Sequence, residues 1–132
     1  MSRPQCRKLT PVLYVSAIEP SLAFWRDRVG LAVTAEVPGE GGLAFAILAG
    51  NGIELMLQTA ASLAADPHAA GMDWHGDRSA LFVEVDDIDA LAAAMDGCEI
   101  IAPRHETFYG ATEIAYRAPG GHFVTFAQFA RG

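Results

Sequence analysis

The chain repeats itself. Val15-Ser16-Ala17-Ile18 returns as Val85-Asp86-Asp87-Ile88 at an offset of 70, and Ile53-Glu54-Leu55 returns as Val124-Thr125-Phe126 at an offset of 71. Both copies read as strand, helix, strand, strand, strand. In the first, residues 10–16 are a strand, and Pro20 suits the first turn of a helix, where the N–H it lacks would have no partner. Leu22, Trp25 and Val29 form one apolar stripe at helical spacing, and Gly30 ends the helix. Residues 31–37, 43–48 and 53–58 are predicted strands, separated by turns at 38–42 and 49–52. In the second copy, residues 80–85 are the first strand. Residues 86–97 are a helix with an acidic start and an Ile88/Leu91/Met95 stripe. Residues 99–103, 112–118 and 122–129 are the remaining strands. A βαβββ unit has one helix to cover one face of its sheet. The other face must meet the second unit, a partner chain or a ligand.

At 132 residues the two units make one domain. Module one spans about 9–58, module two about 80–129, and a linker of Ala, Asp, Gly and Pro runs through 59–79. The linker is expected to hold at most one short helical turn and to carry lid residues. The net charge of −7 disfavours nucleic acid and anionic membranes as partners and suits a neutral or cationic small ligand. No apolar run is long enough for a membrane helix, and the first residues lack the apolar core of a secretory signal. Cys6 and Cys98 belong to no CxxC pattern, so two free thiols and a cytoplasmic location are expected.

The segments VLYVSAIEPSLAFWRDRVGL and YGATEIAYRAPGGHFVTFAQF resemble the vicinal-oxygen-chelate superfamily, also called the glyoxalase/bleomycin-resistance/dioxygenase superfamily. The resemblance runs from about Leu9 to Phe129. Ser21, Phe24, Trp25 and Gly30 stand at the places usual for the family's opening strand–turn–helix. The Phe-Trp pair, the Arg-Val-Gly-Leu helix end and the Phe-Tyr-Gly segment look most like the bleomycin-resistance branch. The resemblance implies an α+β fold of two βαβββ modules forming a cup-shaped mixed sheet, commonly completed in a homodimer. It also implies metal-ligand points at the start of the first strand and in the fourth strand of each module. Here these points are Thr10, Glu54, Ala80 and Thr125. One carboxylate, two hydroxyls and a methyl do not make a Zn²⁺ or Fe²⁺ site, which needs at least three good donors. No metal and no other cofactor are therefore expected. His68, His75, His105 and His122 stand at none of these points and read as surface or loop imidazoles.

Strand alternation puts Glu54, Met56 and Gln58 on one face, with Ile53, Leu55 and Leu57 on the other. The aliphatic face belongs against the helix, so the mixed face is expected to look into the cup. Thr10, Val12 and Tyr14 share that side, as do Ala80, Phe82 and Glu84, and Phe123, Thr125 and Ala127. Phe45 and Tyr116 are expected to add aromatic lining, Trp74 a lid, and the loop aromatics Phe108 and Tyr109 a contact to ligand or partner. Three roles stand open for Glu54: orienting a ligand, being satisfied by a neighbouring Arg or Thr, or acting as a general base with a pKa raised by burial. The expected function is metal-independent binding or sequestration of a small organic molecule, cationic and aromatic if the resemblance to bleomycin-resistance proteins holds. The alternatives are a glyoxalase-family lyase or isomerase, or a dioxygenase-like enzyme, with an atypical metal site, and a metal-free acid–base catalyst using Glu54.

Overall fold

The computed structural model describes residues 3–69, 72 and 79–130. Its strands are β1 (Val12–Val15), β2 (Ala32–Gly39), β3 (Gly42–Gly50), β4 (Ile53–Thr59), β5 (Ala80–Glu84), β6 (Ile100–Glu106), β7 (Ala111–Arg117) and β8 (Phe123–Phe129). They form two four-stranded mixed sheets, ordered β1-β4-β3-β2 and β5-β8-β7-β6. In each, the first strand runs parallel to the last and the others are antiparallel. The fold is α+β, as the repeat predicts, with no closed barrel.

The helices differ from expectation in their winding. Helix α1 (Glu19–Leu22) has Pro20 in its first turn and passes at once into a π-helical stretch, Ala23–Arg28. That wider turn brings consecutive residues inward: Phe24 and Trp25 are both buried and meet edge to face at 5.0 Å. Gly30, at φ +94°, ends it. Helix α2 (Ala60–Ala64) and a 3₁₀ turn at Pro67–Ala69 occupy the first part of the linker, with the Thr59 side chain capping α2 at the Ser62 N–H. In α3 (Ile88–Ala94) the Asp87 carboxylate accepts the Ala90 N–H, so the acidic start is a cap as well as a dipole complement.

Leu13, Leu55 and Leu57 of the first sheet, Val124 and Phe126 of the second, Trp25 and the α3 stripe belong to one hydrophobic core. Among the described residues three hydrogen bonds tie the modules across it, two from Arg28 and one from His122, and one close backbone approach adds to them. Arg28 donates to the carbonyls of Ala94 and Asp96 at 2.9 and 2.8 Å, satisfying the open end of α3. Gly120 (φ +91°) lies so close to β1 that a Cβ there would come within 2.7 Å of Val15 Cγ1. His122, read from sequence as a surface or loop imidazole, is 3% exposed. Its Nε2 donates to the Tyr14 carbonyl at 3.0 Å, which leaves Nδ1 to accept the Ser79 hydroxyl. Its position at the start of β8 points it back under the turn onto β1, which the linear spacing does not reveal.

Two predictions follow from this packing. Ser21 is fully buried and its hydroxyl has no partner among the described residues. Ser21→Ala removes an unsatisfied polar atom and improves helix propensity, so it should leave stability unchanged or raise it by up to about 1 kcal/mol in chemical denaturation. Burial also holds the His122 imidazole below its ordinary value of 6.5, against the bond to Tyr14. The unfolded chain then binds a proton that the folded chain refuses. His122's contribution is complete above pH 6.5 and is lost as pH falls through the depressed folded value. Melting temperature should decline below that point in the wild type and decline less steeply in His122→Gln.

Candidate functional site

The outward faces of the two sheets are chemically unlike. On the first, Val12 and Met56 stand opposite one another, as do Tyr14 and Gln58, with Phe45 beside Gln58 on β3. Tyr14, Phe45 and Met56 are half-buried and Val12 is exposed. On the second, Phe82 stands opposite Thr125 and Glu84 opposite Ala127. Rings form a chain along this face: Phe82 to Phe129 at 6.3 Å, Phe129 to Tyr109 at 6.0 Å, Tyr109 to Phe108 at 5.1 Å. Phe82 and Phe108 are among the most exposed large apolar residues of the chain.

Glu54 begins β4 with its side chain 23% exposed. The Thr10 hydroxyl donates to its Oε1 at 2.7 Å, and Lys8 Nζ lies 2.9 Å from the same oxygen. The Thr10 hydrogen bond first, then Lys8, hold the carboxyl below its ordinary value. Glu54 is thus matched by a threonine, one of the two neighbours the sequence suggested, and by a lysine rather than an arginine. The direction is opposite to that needed for a general base tuned upward.

A groove of about 360 Å³ runs between the modules. Leu9, Pro11, Ile53 and Glu54 form one wall and Leu81, Phe82 and Glu84 the other, with the edge of Trp25 between them. It brings Glu54 together with Phe82 and Glu84. Val12, Tyr14, Phe45 and Met56 lie outside it, on the open face of the first sheet. Tyr116 does not belong to either open surface. It stands opposite Val124, is 3% exposed and packs on Phe126, because its parity on β7 turns it into the core. Trp74 lies outside the described residues.

Sequence reasoning missed Glu113, a buried carboxylate on the open face of β7. It accepts the Tyr109 hydroxyl and faces His105 Nε2 at 3.5 Å. The bond to Glu113 pushes the Tyr109 phenol up. The alternation that singles out Glu54 applies equally to Ala111, Glu113, Ala115 and Arg117, so the signal was present in ATEIAYR.

The family model described as the Glyoxalase/Bleomycin resistance protein/Dioxygenase superfamily matches residues 8–126. The chain belongs to that superfamily. Solved structures with the same fold include a glyoxalase/bleomycin resistance protein/dioxygenase from Nocardioides (22% identity, 100% of this chain and 87% of that one, TM-score 0.71). TioX from Micromonospora sp. ML1 is 18% identical over 94% of this chain and 100% of its own, at TM-score 0.73. Lactoylglutathione lyase from Agrobacterium tumefaciens is 18% identical over 94% of this chain and 95% of its own, also at TM-score 0.73. No curated protein sequence matches the chain. At these identities the likeness establishes the fold alone.

The superfamily's metal does not fit the residues present. Glu54 is engaged by Thr10 and Lys8, and Ala80 has no donor atom. The ladders also correct the repeat arithmetic. Val12 corresponds to Phe82, and their partners Met56 and Thr125 differ by 69, not 71. The ladder counterpart of Glu54 is therefore Phe123, which stands opposite Ala80. Among the described residues no group of three His, Cys, Asp or Glu side chains is placed to hold a metal ion.

Since Thr10 is the first cause of the depressed Glu54 carboxyl, Thr10→Val should raise its titration midpoint, followed by carboxyl carbon NMR. The stability Glu54 contributes is present above its ordinary value of 4.5 and lost as pH falls through the lowered one, so the variant should narrow that acid window. An unchanged midpoint would mean the hydroxyl does not make the bond in solution.

Proposed function

We propose that the protein binds and sequesters a small aromatic molecule carrying a positive charge. The observation that carries this reading is the groove between the modules, where the exposed Phe82 ring and the Glu84 carboxylate line an otherwise largely apolar cleft. Such a cleft suits the body of a small ligand, with a few polar points to orient it. Phe82 continues into the Phe129–Tyr109–Phe108 rings, whose faces favour cations. The Glu84 carboxylate has no hydrogen bond or ion pair among the described residues, so its charge is available to attract a cation from solution. Glu54, already matched by Lys8, contributes polarity to the groove rather than net charge. A homodimer is part of the same proposal, because the exposed rings of Phe82 and Phe108 leave an apolar surface for a second chain to cover.

An enzymatic reading has less to rest on. Of the points that would hold the superfamily's metal, Ala80 has no donor atom and Glu54 is engaged by Thr10 and Lys8, and Glu54 is held in the wrong direction for a general base.

The test is a fluorescence titration with p-aminobenzamidine, an aromatic amidinium, beside its neutral analogue p-aminobenzamide. The amidinium should bind saturably and more tightly than the amide. Phe82→Ala should weaken it by about tenfold or more, the scale of a lost aromatic–cation contact. Absence of saturable binding, or equal binding of the two compounds, would refute the cationic reading.

A further inference from the structure

Three carboxylates share the strand face turned away from the core, and they differ in what already faces them. Glu54 is matched by Lys8 and Thr10. Glu84 is exposed, so water and salt screen its charge. Glu113 is only 6% exposed, and a charge at that depth acts far more strongly on its neighbours. Its Oε2 accepts the Tyr109 hydroxyl. Its Oε1 faces His105 Nε2 at 3.5 Å.

The state of that imidazole is fixed by its other nitrogen. His105 Nδ1 lies 2.8 Å from the Pro103 carbonyl oxygen. A carbonyl only accepts, so Nδ1 carries the hydrogen, and in neutral His105 the bare lone pair of Nε2 is turned toward a carboxylate oxygen. Two acceptors then face each other. Once His105 is protonated, the same contact becomes an ion pair. Among the described residues Glu113 thus acquires a cationic partner only when His105 takes up a proton. The remaining groups on this face do not supply one among the described residues. Glu84 stands in the same cross-strand row beyond Ala127, and β8 adds only Thr125, Ala127 and Phe129. Arg117, at the far end of β7, is paired with Glu99, and Arg104 of β6 with Asp89.

We propose that Glu113 takes the cationic group of the ligand, an amidinium, guanidinium or primary ammonium on an aromatic body, and that His105 gates it. The ligand's N–H donors and the imidazole proton compete for Glu113 Oε1. The His105 side chain is 46% exposed, so it can turn away into solvent when the ligand arrives. The rings of Phe82, Phe129 and Tyr109 connect the groove to this carboxylate. The inference rests on the reading of the protein as a binder of aromatic cations, and adds the residue that reads the charge and the condition that releases it.

The test uses p-aminobenzamidine, whose amidinium stays charged throughout, against the full-length protein at about pH 8 and about pH 5.5. In the wild type the affinity should fall by about tenfold at the lower pH, and calorimetry in two buffers of different ionisation heat should show proton release on binding between those limits. His105→Gln, at an exposed position, should bind with the same affinity at both. Glu113→Gln should lose about tenfold or more at the higher pH. Equal affinity of Glu113→Gln and wild type, or a pH dependence that survives in His105→Gln, overturns this inference and leaves cation binding itself standing. Failure of the probe to bind the wild type at either pH overturns both. Should Glu113→Gln not fold, the His105→Gln pH profile decides alone.

Discussion

The aliphatic faces of the two sheets, together with the inner sides of α1 and α3, form one continuous core. Because side chains along a strand alternate, committing Leu13, Leu55, Leu57, Val124 and Phe126 to that core fixes the direction of every residue between them. Tyr14, Glu54 and Met56 are turned outward by the same choice, as are Phe82, Thr125 and Glu113. A slip of one residue would expose the leucines and bury Glu54, so the register is strongly specified. The polar ties between the modules, Arg28 on the end of α3 and His122 on the Tyr14 carbonyl, are placed at the margins of this core, where they hold the two halves in one alignment.

That alignment decides the fate of each carboxylate. Glu54 lies at the start of β4, where the N-terminal segment passes, and so meets both Thr10 and Lys8. Glu113 lies mid-strand on β7, where cross-strand pairing leaves it His105 on one side and Ala127 on the other. The first is matched by a permanent cation. The second is matched by a group whose charge depends on pH. Two acidic residues with the same strand parity thus differ in chemistry because of what a neighbouring segment happens to deliver.

Much of the fold was legible because it depends on periodicity and on turn residues. The two βαβββ modules, the eight strands to within a few residues, the Gly30 stop and the inward stripes were all readable. The π-helical stretch was not, since Leu22, Trp25 and Val29 fit an ordinary helix and nothing in the sequence shows that Phe24 also turns inward. The site was read less completely. The outward direction of Val12, Tyr14, Phe45, Glu54, Met56, Phe82, Glu84 and Thr125 followed from alternation. Tyr116 was misplaced because its aromatic character outweighed its parity. Lys8 as the partner of Glu54, and the burial of His122, depend on contacts between segments distant in sequence, which no local pattern encodes.

The ladders also show how the two halves of a repeat have diverged in chemistry while keeping their geometry. One cross-strand row of the first sheet runs Tyr14, Gln58, Phe45, Val37. The matching row of the second runs Glu84, Ala127, Glu113, His105. The first row carries no carboxylate or imidazole, and the second carries two carboxylates and an imidazole. Phe45 and Glu113 occupy the same place in the two sheets, one apolar and one a buried carboxylate. An apolar row asks nothing further of its surroundings. A row with a buried acid must supply it with donors, and the Tyr109 hydroxyl and the His105 imidazole are what this module supplies. The asymmetry places the carboxylates and the imidazole of this row in the second module alone.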